Sequence, residues 1–471
     1  MTNLKNRIGQ TAFASSLVTM AFAAADAGAA PVQKPRAGQR PHLIVIMTDQ
    51  QTAGAMSCAG NPWVETPAMD ALAADGVRFT RAYCPYPLSG PCRASIVTGR
   101  MPFEVGATDN AVRPHAEDMA LGIGHRISAA GYECLYAGKW HVPEVNLPDS
   151  GTGFRRISPM HDPTLADACD RALAEYDGAK PLFLVASLLN PHEICEYGRF
   201  ESLHYGQLPD FATEECPNLP ANFMPSTYEP EALRLEQAAS PRYHDTYTCT
   251  QDDWRRYLYA YYRLVERVDR EVGRLVGVLK ARGIYDDAVI LFCSDHGDGV
   301  AAHGWNQKWA LFEECINVPL IAKAPKGRGE TGVCNDEALS NIGLDLYATL
   351  CDYAGVALDT ARYRGRSLRP VVEGRTRRLH DEVFVETLLS GVGIPGWSIV
   401  SSRYKYVLYQ WGRNREALYD LEADPGEMVN LAVDRRHAET LGELRRKMYE
   451  WGERIGNPKL VRNLRPFVAD R

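Results

Sequence analysis

The run Ser89-Gly90-Pro91-Cys92-Arg93, continuing to Thr98-Gly99-Arg100, places a hydroxyl two residues before a proline and four before an arginine. Pro91 stiffens the turn, and Cys92 to Val97 can open a helix. The free N–H groups and dipole at that helix start favour anionic oxygen near residue 89. Arg93 is spaced to reach back toward residue 89 or an anionic substrate. The chemistry this predicts is a nucleophilic oxygen in an anion hole. Ser-Gly-Pro also makes ordinary turns, so the reading depends on what else the chain brings to the same place.

Four other polar clusters each follow an apolar, β-branched run. Leu43 to Met47 leads into Thr48-Asp49-Gln50-Gln51, and Cys134 to Ala137 into Gly138-Lys139-Trp140-His141. Leu182 to Leu189 leads into Asn190-Pro191-His192, and Val289 to Cys293 into Ser294-Asp295-His296-Gly297. Short continuous apolar runs bounded by turn residues predict strands buried on both faces. Helical patterns lie between them, at Pro67 to Asp75 and over Asp252 to Arg282. That alternation predicts an α/β fold with a doubly wound, mostly parallel sheet flanked by helices, whose ligands bind beyond the carboxyl ends of the strands. All four clusters fall at such ends.

Asp49, Gln50, Asp295 and His296 are therefore candidate ligands of one divalent cation. Their oxygens suit Ca2+ first, with Mg2+ open, and the imidazole also admits Mn2+. Lys139 and Lys308, the latter in Gly304-Trp305-Asn306-Gln307-Lys308, with Arg93 would surround a sulfate or phosphate. His192, at a strand end, is a candidate general acid, and His141 shares the loop of Lys139.

The whole chain sets the frame. Its 471 residues carry 52 basic and 59 acidic side chains, a net charge of −7, so no global field recruits nucleic acid. Residues 1–30 read as a secretory signal peptide: Lys5 and Arg7 precede an apolar run from Thr11 to Ala25 that is too short to span a membrane. That predicts a periplasmic or secreted protein with no membrane span. The twelve cysteines show no Cys-x-x-Cys pair, and few disulfides are expected. Residues 40–373 read as the catalytic α/β domain. Residues 374–471 read as a smaller α+β subdomain, with strands at 380–387, 397–401, 404–410 and 417–421 and a helix over 435–455. Residues 193–250 show no clear period and read as an irregular, substrate-facing cover. The aromatic-rich segment around Tyr243, Tyr247 and Trp254 suits either a sugar platform or a helix core.

The motif at Ser89 resembles the maturation signature of the formylglycine-dependent sulfatases, type I, in the alkaline phosphatase-like superfamily: Cys or Ser, then x-Pro-x-Arg, with a Thr-Gly-Arg ending. This chain would be the serine type, and neither Cys84 nor Cys92 has the Pro and Arg at the required spacing. The resemblance extends over nearly the whole mature chain. It runs through Asp49, Lys139 with His141, His192, Asp295 with His296, and Lys308 before Phe312-Glu313-Glu314. Gln50 departs from it, standing where many members carry a second Asp. Asn110 and His303 match positions of substrate contact. Leu418-Tyr419-Asp420-Leu421 through Asp424-Pro425-Gly426-Glu427 and Asn430-Leu431 is similar to the family's C-terminal subdomain.

The resemblance implies that a maturase accepting serine oxidises Ser89 to formylglycine (3-oxoalanine), an aldehyde that hydrates to a geminal diol. One of its oxygens attacks the ester sulfur, and Lys139, Lys308 and the metal hold the sulfate. His192 protonates the leaving alcohol, and His141 removes the proton that lets sulfate depart. The substrate expected is a sulfated glycan or a small sulfate ester. Two other readings keep the fold: a phosphate or phosphonate ester hydrolase, and a catalytically dead binder of sulfated glycans.

Overall fold

The computed structural model describes residues 40–142, 151–241 and 248–468. The segment read as a signal peptide lies outside them, as do Tyr243 and Tyr247. Fourteen strands form three sheets among the described residues.

The large sheet contains β1 (His42–Asp49) at its centre and β2 (Val77–Phe79) near one edge. The short β3 (Ala82–Tyr83) pairs elsewhere. The large sheet continues with β4 (Glu133–Gly138), β5 (Arg155–Ser158), β6 (Leu182–Pro191), β7 (Ala288–Ser294), β8 (Leu320–Lys323) and β9 (Val333–Asn335). Its order is β5-β4-β6-β1-β7-β8-β2-β9. The pairs from β5 across to β7 are parallel, and β8 runs against both neighbours. The expected doubly wound, mostly parallel sheet is present. Every residue of β1, β6 and β7 is buried, which explains why these strands read as unbroken apolar runs.

The register decides function. Thr48 lies opposite Ser294, Asp49 opposite Pro191, and Gly138 opposite Ser187. Four neighbouring parallel strands therefore end at one edge. Gly138 has φ near +90°, and a Cβ there would sit 1.9 Å from the Ser187 carbonyl oxygen. Only glycine lets β4 close on β6 before Lys139 turns into the site.

The helix Gln251–Ala281 covers one face of the sheet. Tyr257, Tyr261, Leu264, Val268, Val272, Leu275 and Leu279 recur along its buried side, each burial stabilising by roughly 1.5–3 kcal/mol. Thr250 and Asp253 form a capping box that starts it. Trp254 is 5% exposed and packs with Leu258 and Ala301, so it is a core residue and not a sugar platform. The helix Ser89–Thr98 is buried throughout its length.

The short β10 (Ser340–Asn341) pairs with β3. A four-stranded antiparallel meander follows: β11 (Glu382–Leu389), β12 (Ile394–Ser401), β13 (Tyr404–Tyr409) and β14 (Glu416–Asp420). The helices Ala438–Arg454 and Pro458–Val468 pack on it. The segment expected to be irregular contains a helix, Glu231–Ala239, whose buried side includes Glu236 and Gln237 as well as Ala232 and Leu233. Buried polar residues blur the apolar stripe that would have marked it. Glu236 accepts from the backbone N–H groups of Gly391 and Val392, fastening this segment to the β11–β12 turn. All twelve cysteines are free thiols, nine of them buried. Among the described residues no helix is long and apolar enough to cross a membrane.

Candidate active site

Ser89 is the first residue of its helix. The preceding Leu88 is extended and offers no side-chain cap to the helix's leading N–H groups. Asn110 Oδ1 accepts from Gly90 N at 2.9 Å, which brings Asn110 to the rim beside residue 89. The Ser89 hydroxyl lies 3.3 and 3.2 Å from the two carboxylate oxygens of Asp49 and 3.0 Å from His296 Nε2. His296 Nδ1 lies 2.8 Å from the Gly297 carbonyl oxygen, which can only accept, so Nε2 presents a bare lone pair. Three acceptors thus converge on one hydroxyl that has a single proton. Asp49, Asp295 and His296 are fully buried, with ligand atoms within 4.8 Å of one another. Two buried carboxylates and a free imidazole nitrogen, with more lone pairs than protons among them, fit a hard divalent cation.

Arg93 bridges the two carboxylates of this set. Its Nε donates to Asp295 at 2.8 Å and its NH2 to Asp49 at 2.8 Å; NH1 donates to the Lys139 carbonyl and to Ser187 Oγ. Four of its N–H groups thus go to the two carboxylates, the Lys139 carbonyl and Ser187, where the sequence predicted a reach toward residue 89 or an anion. Burial alone would raise the Asp49 pKa, but Lys139, His192 and Arg93 outweigh it and hold the carboxyl well below its usual range. Lys139 Nζ lies 2.6 Å from Asp49 Oδ2.

Gln50 is also placed differently from its expected role. Its amide oxygen accepts from Lys308 Nζ at 2.8 Å and from the Cys195 thiol at 3.2 Å, and its amide nitrogen donates to Asp298 at 2.7 Å. The Cys195 thiol also lies 2.8 Å from Gln307 Oε1, so its single proton is shared between two amides, and the firm partner of the Gln50 oxygen in this structure is Lys308. Asp298, which Tyr257 also contacts through its hydroxyl at 2.9 Å, fixes which way the amide faces. Asp298, Cys195 and Tyr257 escaped sequence reading; the acidic residue two after His296 was the one available signal.

Lys308 Nζ also lies 3.1 Å from His192 Nε2, and His192 Nε2 is 4.0 Å from Asp49. Burial, then the charges of Lys308 and Lys139, hold the His192 pKa well below the usual imidazole range. Asp162 accepts from the Leu189 and Asn190 backbone N–H groups and so anchors the strand end that carries His192. His141 is exposed at the rim in a left-handed conformation, φ 50°. Desolvation where it meets the protein, and then Lys139, lower its pKa to about 3.

His303 does not join the site. It is 0% exposed, and its ring stacks on Phe312 with centroids 4.0 Å apart, so it cannot touch a substrate.

The chain matches the sulfatase family over residues 41–356, and the family of N-sulphoglucosamine sulphohydrolase C-terminal regions over residues 301–454. It is similar to a Delta 4,5-hexuronate-2-O-sulfatase of Bacteroides thetaiotaomicron, 29% identical over 87% of this chain and 88% of that protein. A solved 2-O GAG sulfatase superposes with a TM-score of 0.76 at 27% identity, covering 89% of this chain and 93% of the other. A phosphonate monoester hydrolase of Agrobacterium radiobacter shares the fold alone, with a TM-score of 0.71 at 23% identity over 88% and 96% of the two chains. With the family match covering the strand ends, the helix that begins at Ser89 and both lysines, the chain belongs to the sulfatase family and is a sulfuric ester hydrolase.

Proposed function

We propose that this enzyme is exported and hydrolyses a sulfate ester on a sulfated carbohydrate, through a formylglycine made from Ser89 and a divalent cation at Asp49, Asp295 and His296. The observation that carries the reading is the convergence of Ser89, three lone-pair donors, Lys139 and the Lys308–His192 pair at one edge of the sheet. The sugar is supported by relatives that act on hexuronate 2-O-sulfate and N-acetylglucosamine 6-O-sulfate. Export is supported by the composition of residues 1–30.

Asp49, Asp295 and His296 would hold Ca2+, or Mg2+ or Mn2+, which supplies neutralisation of ester oxygens as charge moves onto them. Residue 89, once oxidised and hydrated, supplies two hydroxyls on one carbon, one to attack and one to lose the proton that releases sulfate; an unmodified serine has only one. The other steps belong to the chain's own side chains. Lys139 and Lys308 offer ammonium groups to sulfate oxygens. His192 and Lys308 share a proton 3.1 Å from atom to atom, and that proton is the one available to the departing alcohol. His141, at the rim beside Lys139, is the group assigned to take the proton whose loss releases sulfate. Arg93 bridges the two carboxylates and helps hold Asp49 ionised. Helix Ser89–Thr98 is wholly buried, so a serine-accepting maturase would act before the chain closes.

The decisive experiment is mass spectrometry of the peptide containing Ser89, isolated from the native host, beside kinetics on matched sulfate and phosphate esters. Loss of two hydrogens at residue 89 with a preference for sulfate is the expected result. An intact hydroxyl in active enzyme overturns the mechanism. A marked preference for phosphate favours the ester-hydrolase alternative, and oxidised but inert protein favours a glycan binder.

A further inference from the structure

His303, excluded from the active site, faces a second cluster. Its backbone is left-handed, φ 56°, and both ring nitrogens are buried without a hydrogen-bond partner. A ring nitrogen lies within 4.8 Å of carboxylate oxygens of both Glu314 and Glu427, and those oxygens lie equally close to each other. Glu314 Oε1 accepts from Asn222 Nδ2 at 2.9 Å, leaving Oε2 buried and unpartnered. Glu427 Oε2 accepts from Glu313 N at 2.8 Å, and its Oε1 lies 2.5 Å from Lys405 Nζ. Lys405 also contacts Glu313 at 3.0 Å.

Charge sharpens the problem. Glu313, Glu314 and Glu427 are three carboxylates facing one ammonium, so the cluster lacks two positive charges. Burying that imbalance is costly unless protons or a dication supply the difference. The acidic groups alone would prove nothing. The fully buried imidazole, aimed among them with neither nitrogen partnered, is an independent sign of a missing ligand.

We propose that His303, Glu314 and Glu427 bind a structural divalent transition-metal cation of the zinc class, separate from the catalytic cation. One imidazole and two carboxylates are a donor set that zinc accepts, whereas calcium takes six to eight oxygens. The two charges of the ion and the one of Lys405 balance the three carboxylates. The site joins the loop after β7, the short helix Glu313–Ile316 that follows Lys308, and the loop after β14. It holds the Lys308 segment from behind without touching substrate.

The test uses the full chain purified from zinc-supplemented medium and dialysed against a chelator, with zinc per chain measured by inductively coupled plasma mass spectrometry. About one zinc per chain is expected in the wild type and in Asp49→Asn, and a several-fold loss in His303→Gln and Glu427→Gln. Zinc that follows Asp49 instead, or that persists undiminished in His303→Gln, overturns the proposal. Anomalous scattering from crystals of the wild type grown with Zn2+ gives a reading independent of variant folding. A peak between His303, Glu314 and Glu427 supports the site, and its absence from that position overturns it.

Discussion

At the scale of single residues, types and spacing pointed to the chemistry but not to every partner. Ser89, Asp49, Lys139, His192, Asp295 and His296 meet at one edge because each lies at or just past a strand end or helix start whose position the alternating pattern already implied, while Lys308 reaches them from the loop between Gly304 and Glu313. Gln50 differs. Its neighbour Asp49 is the last residue of β1, and at φ 67° the backbone turns the amide away from that carboxylate and toward Lys308. Gln50→Ala is therefore expected to lower kcat by roughly 10–100-fold through loss of Lys308 positioning, as outer partners of a site commonly do. Its content of catalytic metal, measured by atomic absorption, should be unchanged, while Asp49→Asn should lose that metal. His192→Ala should lower kcat by about 10²–10⁴-fold on an alkyl sulfate. The defect should shrink on an aryl sulfate, whose leaving group needs no proton; equal defects on both substrates would remove the general-acid role.

At the scale of elements, strands buried on both faces were legible because nothing polar interrupts them, and the helix Gln251–Ala281 because its apolar side repeats every three to four residues. The helix Glu231–Ala239 was not, because two of its inward positions are polar. Glu386 on β11 illustrates a polar residue whose meaning needs the fold. It is buried, accepts from Phe103 N at 3.0 Å through one oxygen and has no partner for the other. Burial, with Glu104 adding to it, raises its pKa from 4.5 to about 8. The folded state thus prefers the protonated acid. That contribution to stability is complete below pH 4.5 and is lost as pH rises through about 8. Thermal midpoints should fall over this window in the wild type and fall less in Glu386→Gln, which carries no charge at any pH. Identical slopes would sink the assignment.

At the scale of the whole molecule, the antiparallel meander is tied to the catalytic sheet through a buried lysine. Lys405 on β13 donates to the Leu311 carbonyl at 2.9 Å and reaches Glu313 and Glu427, three segments that meet just beyond Lys308. Removing the ammonium leaves the carboxylates uncompensated, so Lys405→Met should cost about 3–5 kcal/mol, read as a lowered midpoint in urea. An unchanged midpoint would show that the carboxylates are neutral without it.

The sequence by itself determined the fold class, the strand ends and most of the candidate residues that gather there, because burial on both faces and helical periodicity are local patterns and the Ser89 motif is contiguous. Only the tertiary structure decided which of those residues touch. It showed Gln50 holding Lys308 and Arg93 bridging the two carboxylates, and it buried His303 away from the strand ends. Such roles depend on side-chain direction and on partners up to 258 residues apart, as for Gln50 and Lys308. Spacing along a chain does not carry that information; hydrogen-bond geometry in a buried site does.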